Sequence, residues 1–360
     1  MEFTGSEEDK AAERWLFAEA GHVRKPLLCS IGWYVAAGAA IIFQARLLAM
    51  ACQRVIVDEA GVRAVIPLAG WLALLITLRG AFVWLGERQA ASAAASLKQR
   101  VRTMLYRRLL SLGPAGRGGD IASLVEVLTS GVDALEPYVA RFLPQAALSA
   151  ILPILCLIIV APAEWRAGLV LFLSAPFIPL LMILIARGSE SLNRRQWSSI
   201  SRMSGHLFDL LRGLPDLKIC SAAKREAAAV AAISEEYRHS TMAVLRIAFL
   251  SALTLEFFSN VGTAVVAVLV GFRLLHGELS LLDGLFVLLL APEFYLPLRM
   301  LGLSYHARMQ GVAAAERIAP LLADGSFRTT VKGSLHLPPG GLSVAFNDVT
   351  FRNASGRGGV

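Results

Sequence analysis

Six apolar runs, each long enough to cross a lipid bilayer as a helix, constrain this chain more than any other feature. Twenty residues without a formal charge, PLLCSIGWYVAAGAAIIFQA, lie between Lys25 and Arg46. A second run, AVIPLAGWLALLITL, follows Arg63 and resumes past Arg79 as GAFVWLG. The third, FLPQAALSAILPILCLIIVAPA, fills the space between Arg141 and Glu164, and the fourth, AGLVLFLSAPFIPLLMILIA, lies between Arg166 and Arg187. The fifth spans Ile247 to Phe272, and the sixth starts at Gly284. A hydrocarbon core about 30 Å thick takes about 20 helical residues at a rise of about 1.5 Å each. Six transmembrane helices are therefore predicted. Composition agrees, with 56% hydrophobic and 17% charged residues and a mean hydropathy of +0.58. Six such runs set aside a large soluble protein with buried helices, and nothing supports a cytoplasmic enzyme.

No cleavable signal peptide is expected. The first 25 residues are charged and mixed, and the first apolar run has no small-residue cleavage site. The piece AAERWLFAEAGHVRK reads either as a helix on the membrane surface, with Trp15, Leu16 and Phe17 dipping inward, or as a solvated helix. Cys29, Cys52, Cys156 and Cys220 are far apart and form no CxxC pair, which argues against structural disulfides and thiolate metal sites.

Basic residues sort by connection. The segment between the second and third runs holds Arg88, Lys98, Arg100, Arg102, Arg107, Arg108, Arg117 and Arg141. The segment between the fourth and fifth holds ten more, from Arg187 to Arg246. Beyond Arg46, which bounds the first run, the other connections carry only Arg54 and Arg63, then Arg166, then Arg273. The positive-inside rule places the two long loops and both termini in the cytoplasm. These loops account for the net charge of +8 without nucleic acid.

The expected organisation is a cytoplasmic amphipathic segment at 1–25 and a six-helix membrane domain at 26–320, with cytoplasmic loops at about 86–141 and 187–246. A linker follows at 321–342, and a further domain begins at 343–360 and is cut short. Loops of this length are too long to be structureless. In ASAAASLKQRVRTMLYRRLLSLG, Leu97, Val101, Leu105 and Leu109 recur at four-residue spacing, which predicts a helical extension. ISRMSGHLFDLLRGL and AAKREAAAVAAISEEYRHSTMAVLRI extend the fourth and fifth helices in the same way. About 20 residues beyond the bilayer make stalks of about 30 Å. The tips are GPAGRGGD and RGLPDLK. GLSVAFNDVTFRN alternates like a strand, which needs partners to stand.

Six spans, two long helical hairpins and the first strand of a β-domain resemble the transmembrane half of a type I ABC exporter. ARFLPQAALSAILP, SAPFIPLLM, NRRQWSSISRMSGHLFDLLRGLPDLKI, TMAVLRIAFLSALTLEFF and above all LLAPEFYLPLRMLGLSYHA resemble the CydD family of the bacterial CydDC transporters. That resemblance implies an all-α integral membrane fold and a heterodimer with a CydC-like half-transporter in the bacterial inner membrane. It implies ATP-driven export of cysteine and glutathione and a role in cytochrome bd assembly, with haem binding or haem transport as the alternative. It also implies that the hairpin tips, near Ile121–Leu135 and Leu211–Lys224, are coupling helices resting on nucleotide-binding domains, with Asp120, Asp133, Leu211, Arg212, Asp216 and Lys218 among their residues. ATP and Mg²⁺ would then act through a nucleotide-binding domain that these 360 residues do not complete. No GxxxxGK[ST] loop occurs among them, so no phosphate cradle is expected here. Asn353 stands where many such domains place an adenine-stacking aromatic.

Polar residues at membrane depth are costly and usually face the bundle interior or an aqueous cavity. On a helix, Tyr295, Arg299, Gly302 and His306 follow i, i+4, i+7, i+11 spacing and share one face within about 60°. Tyr305 is turned from His306 by about 100°, and Glu293 points nearly opposite. Pro292 and Pro297 are expected to kink this helix and free carbonyls. Arg79, Glu256, Arg299, Tyr305 and His306 are the candidates for a substrate or haem pathway. Arginine and tyrosine suit a carboxylate or propionate, and the neutral His306 imidazole suits iron. The alternative is a helix leaving the membrane, with Arg299 snorkelling and His306 solvated. Arg79 pairing with Glu256 or Glu293 is a further expectation. A haem-binding sensor or assembly scaffold that moves nothing, and a lipid or peptide flippase, remain as readings of other classes.

Overall fold

The computed structural model describes residues 7–59, 61–112, 125–178, 180, 210 and 212–323. Every regular element among them is helical. In chain order these are α1 (Glu7–Ala20), α2 (Arg24–Ile56), α3 (Val62–Leu112), α4 (Leu143–Ala163), α5 (Trp165–Ser174), α6 (Leu214–Ile219), α7 (Ala223–Leu275) and α8 (Leu281–Ala323). A 3-10 turn, Gly21–Val23, joins α1 to α2, and two π-helical turns, Val127–Gly131 and Tyr138–Phe142, precede α4. The expected strand near 343–360 and the linker lie outside the described residues.

Five stretches are long and apolar enough to cross a membrane: Lys10–Ile56, Val65–Leu110, Tyr138–Ala163, Lys224–Leu275 and Leu281–Leu322. The fourth predicted span opens with the ten residues of α5, beyond which the Leu180 N–H donates to the Pro176 carbonyl at 3.1 Å as in a further helical turn. Most of the remainder of that run lies outside the described residues. The extensions of the second and fifth spans are continuous with them, whereas the one expected on the fourth lies outside the described residues. α3 runs 51 residues without a break, and α7 runs 53, a rod of about 80 Å.

The chain divides into two compact units. One gathers Met1–Tyr34, Val83–Pro144 and Ser304–Val360. Its core contains Leu16, Leu97, Val101, Leu105, Leu135, Tyr138 and Ile318, so the four-residue stripe read on α3 is the buried face. Gly311 lets α8 approach Tyr138, because a Cβ there would come within 2.6 Å of the Tyr138 Cβ. On the N-terminal helix Leu16 differs from its neighbour Phe17. Ala12, Leu16 and Ala20, one turn apart, are buried within this unit, whereas Phe17 is 66% exposed. Leu16 is covered by protein rather than by lipid headgroups or water.

The other unit gathers Val35–Phe82 and Gln145–Leu303. Its core joins Val160, Leu171, Val266, Val287, Leu290, Phe294 and Tyr295. α7 ends in a tight turn in which Gly277, at φ +71°, donates to the Leu274 carbonyl and Glu278 to that of Arg273. α8 then starts on a side-chain cap: the Asp283 N–H donates to Ser280 Oγ at 3.0 Å and Ser280 Oγ donates to Asp283 Oδ2 at 2.8 Å. Arg46 of α2 donates to Asp283 Oδ1 at 2.9 Å and lies over the Phe286 ring. Fully buried Glu164, between α4 and α5, pairs with Arg273 at the end of α7. Despite Pro292 and Pro297, α8 is a single helix, and the Gln145 side-chain amide donates to the Pro297 carbonyl at 2.9 Å.

Candidate functional site

The polar stripe predicted on α8 divides by role. Tyr295 is fully buried. Its hydroxyl lies 2.6 Å from Ser174 Oγ, its ring meets Phe294 edge-on, and its tip packs against the backbone of Gly262 on α7. A Cβ at Gly262 would collide with the Tyr295 hydroxyl, so the glycine is what admits the ring. Tyr295 therefore packs α8 against α5 and α7 and lines no open space.

One turn further along α8, Arg299 faces Glu256 of α7, with 3.9 Å between Nη1 and Oε1. Neither side chain makes a hydrogen bond among the described residues. Their side chains keep 35% and 62% of their accessible surface, within helices otherwise apolar enough to span a membrane. Glu256 and Asn260, on successive turns of α7, share a shallow, open groove of about 490 Å³ with Leu253, Phe257, Val261 and Ala264 of the same helix. Arg79 takes no part in this pair. The expected Arg79–Glu256 or Arg79–Glu293 bridge is not formed among the described residues, because Glu256 faces Arg299 instead. Arg79 is half-buried on α3.

Tyr305 and His306 belong to the first unit. Half-buried Tyr305 does not share a ligand-like setting with His306. Its hydroxyl accepts from Arg308 Nη1 at 3.3 Å, and the Arg308 guanidinium lies 5.4 Å from its ring centroid. Arg308 in turn donates to both carboxylate oxygens of Glu13. His306 is exposed. Among the described residues no three His, Cys, Asp or Glu side chains converge as a metal site would require. Sequence reasoning missed the Glu13–Arg308 pair. A glutamate on the amphipathic N-terminal segment and an arginine past the last apolar turn were the available signals, but nothing local links them.

Of the candidate coupling residues, Asp120 and Leu211 lie outside the described residues. Asp133 accepts from Lys98 at 3.2 Å and from Arg102 at 3.3 Å, and Lys98 also holds Glu136. Asp133 is thereby tied to α3. Arg212 and Lys218 are exposed. Lys218 and Asp216 fall on α6, a short helix that presents Leu214 and Ile219 to the outside, 53% and 81% exposed. A six-residue helix with apolar residues outward, set just before the 53-residue α7, is suited to rest on another protein surface.

Residues 27–294 match the family described as ABC transporter transmembrane region. The chain is 37% identical over 319 residues to the "Glutathione/L-cysteine transport system ATP-binding/permease protein CydD" of Escherichia coli (strain K12), covering 86% of this chain and 54% of that protein. It is 36% identical over 327 residues to the "Transport ATP-binding protein AarD" of Providencia stuartii, covering 88% and 55% respectively. It is 31% identical over 291 residues to the "Glutathione/L-cysteine transport system ATP-binding/permease protein CydC" of Bacillus subtilis (strain 168), covering 81% and 51%. The chain thus spans about half the length of the curated relatives it matches.

Proposed function

We propose a function on one premise: this chain belongs to the ABC transporter transmembrane family. It forms the membrane half of an ATP-driven exporter subunit that pairs with a CydC-like half-transporter in the bacterial inner membrane. The complex carries glutathione or cysteine outward, and both termini of this chain are cytoplasmic. ATP and Mg²⁺ act through a nucleotide-binding domain of the full-length protein. The single observation that carries this reading is the partly exposed Arg299–Glu256 pair inside apolar spans. Charges there are costly unless they face an aqueous path or a partner. The relatives' names, glutathione/L-cysteine transport proteins, supply the cargo.

Within this reading, substrate enters a cavity lined by Arg299 and Glu256, with Arg79, Tyr305 and His306 as further residues along the path. α6, with Leu211, Arg212, Asp216 and Lys218, receives movement from the nucleotide-binding domains, as does the other hairpin tip with Asp120 and Asp133. The unbroken α7 passes that movement on as a rigid body.

The test uses the full-length protein with its partner half in inside-out vesicles. ATP-dependent uptake of radiolabelled glutathione or L-cysteine is expected, and Leu214→Ala together with Ile219→Ala should lower uptake at unchanged ATP binding. Absence of ATP-dependent thiol uptake overturns the reading. Uptake of haemin in its place makes haem the cargo.

A further inference from the structure

Arg299 and Glu256 are matched in charge but loosely joined. Their 3.9 Å separation is beyond hydrogen-bond range, whereas Arg308 holds Glu13 at 2.6 and 2.8 Å and Arg46 holds Asp283 at 2.9 Å. The donors of the guanidinium and the acceptor positions of the carboxylate are unspent among the described residues. The pair is also open, and Glu256 is the more exposed partner. Asn260 adds a further donor and acceptor one turn along α7, and Leu253, Phe257 and Val261 give the same open helix face apolar surface.

We infer that Arg299 and Glu256 together receive the head group of an α-amino acid, Glu256 taking its ammonium and Arg299 its carboxylate. The groove beside Asn260 takes the rest of the molecule. A ligand that fits must carry both charges on one carbon, as free cysteine does and as the γ-glutamyl end of glutathione does. A purely anionic ligand, such as a fatty acid or a porphyrin dicarboxylate, satisfies Arg299 but meets repulsion from Glu256, so the same pair that admits zwitterions selects against it. This inference deepens the proposed transport function and rests on it for its setting.

The test measures equilibrium binding to the full-length protein with its partner half in nanodiscs. The probes are L-cysteine, N-acetyl-L-cysteine, which lacks the ammonium, and cysteamine, which lacks the carboxylate. L-cysteine should bind about tenfold or more tightly than either analogue, because each analogue leaves one charged group unpaired. Glu256→Gln should erase the preference over N-acetyl-L-cysteine and keep that over cysteamine, and Arg299→Gln should do the reverse. Equal weakening of all three probes, or no change in any, overturns the inference. ATP-dependent thiol uptake by the same variants separates the two levels. Uptake kept while the preferences are absent in the wild type removes the head-group site and spares the transporter. Preferences kept without uptake removes the transporter and spares the site.

Discussion

Arg308 donates to both carboxylate oxygens of Glu13, at 2.8 and 2.6 Å, and so ties α1 to α8 across 295 residues of sequence. The two side chains retain only 28% and 33% of their surface, which makes this pair more than a surface ornament. Loss of either partner leaves a largely buried charge without its match. Glu13→Ala is expected to destabilise the first unit by about 1–3 kcal/mol and to speed amide exchange across α1. The charge-swapped double variant Glu13→Arg with Arg308→Glu should recover part of the loss. Hydrogen exchange read by mass spectrometry checks both.

Gly262 and Tyr295 make a second expectation, this one steric. Gly262→Ala places a methyl against the Tyr295 hydroxyl, and overpacking of this kind costs about 1–3 kcal/mol. Tyr295→Phe alone loses the bond to Ser174 and costs about 0.5–1.5 kcal/mol. Combined, the two should cost less than their sum, because removing the hydroxyl relieves the collision. Thermal unfolding of the four proteins in one detergent gives the cycle directly.

The buried Glu164 carboxylate depends on Arg273. Arg273→Ala should cost about 3–5 kcal/mol, since it strands a charge with no access to water. Replacing both residues by Gln and Met should be milder than the single change. Yield of folded protein and its melting temperature distinguish the outcomes.

At the start of α8, Ser280 caps the helix through the Asp283 N–H. Ser280→Ala is expected to cost about 0.5–2 kcal/mol, and Ser280→Asn to restore most of it. Because Asp283 also accepts from Arg46, the alanine variant should additionally loosen α2, read as faster labelling of a cysteine introduced at Val55.

Five of the spans, and the extensions of the second and fifth, were legible because they depend on one-dimensional properties: a run of apolar residues, or a four-residue stripe such as Leu97, Val101 and Leu105. Side-chain partnership across helices is not one-dimensional. Helical spacing correctly put Tyr295 and Arg299 on one face, but only Ser174 and Gly262, far away in sequence, make Tyr295 a packing residue. The same limit misdirected Arg79. Its depth in a span suggested an acid partner, while the geometry of α7 and α8 gives Glu256 to Arg299. Trp15, Leu16 and Phe17 looked alike as a membrane-facing edge, and the neighbouring elements decide that Leu16 faces inward and Phe17 outward.

The 53 uninterrupted residues of α7 have one more implication, and it concerns angular phase. With no joint between Ala223 and Leu275, one residue inserted near Tyr237 rotates one end of the rod by about 100° relative to the other. Either Glu256 swings away from Arg299 or α6 at Leu214–Ile219 changes the direction it faces. Seven inserted residues complete nearly two turns and restore the azimuth. A periodic dependence of transport on insert length would be the signature of a shaft that must stay in time at both ends.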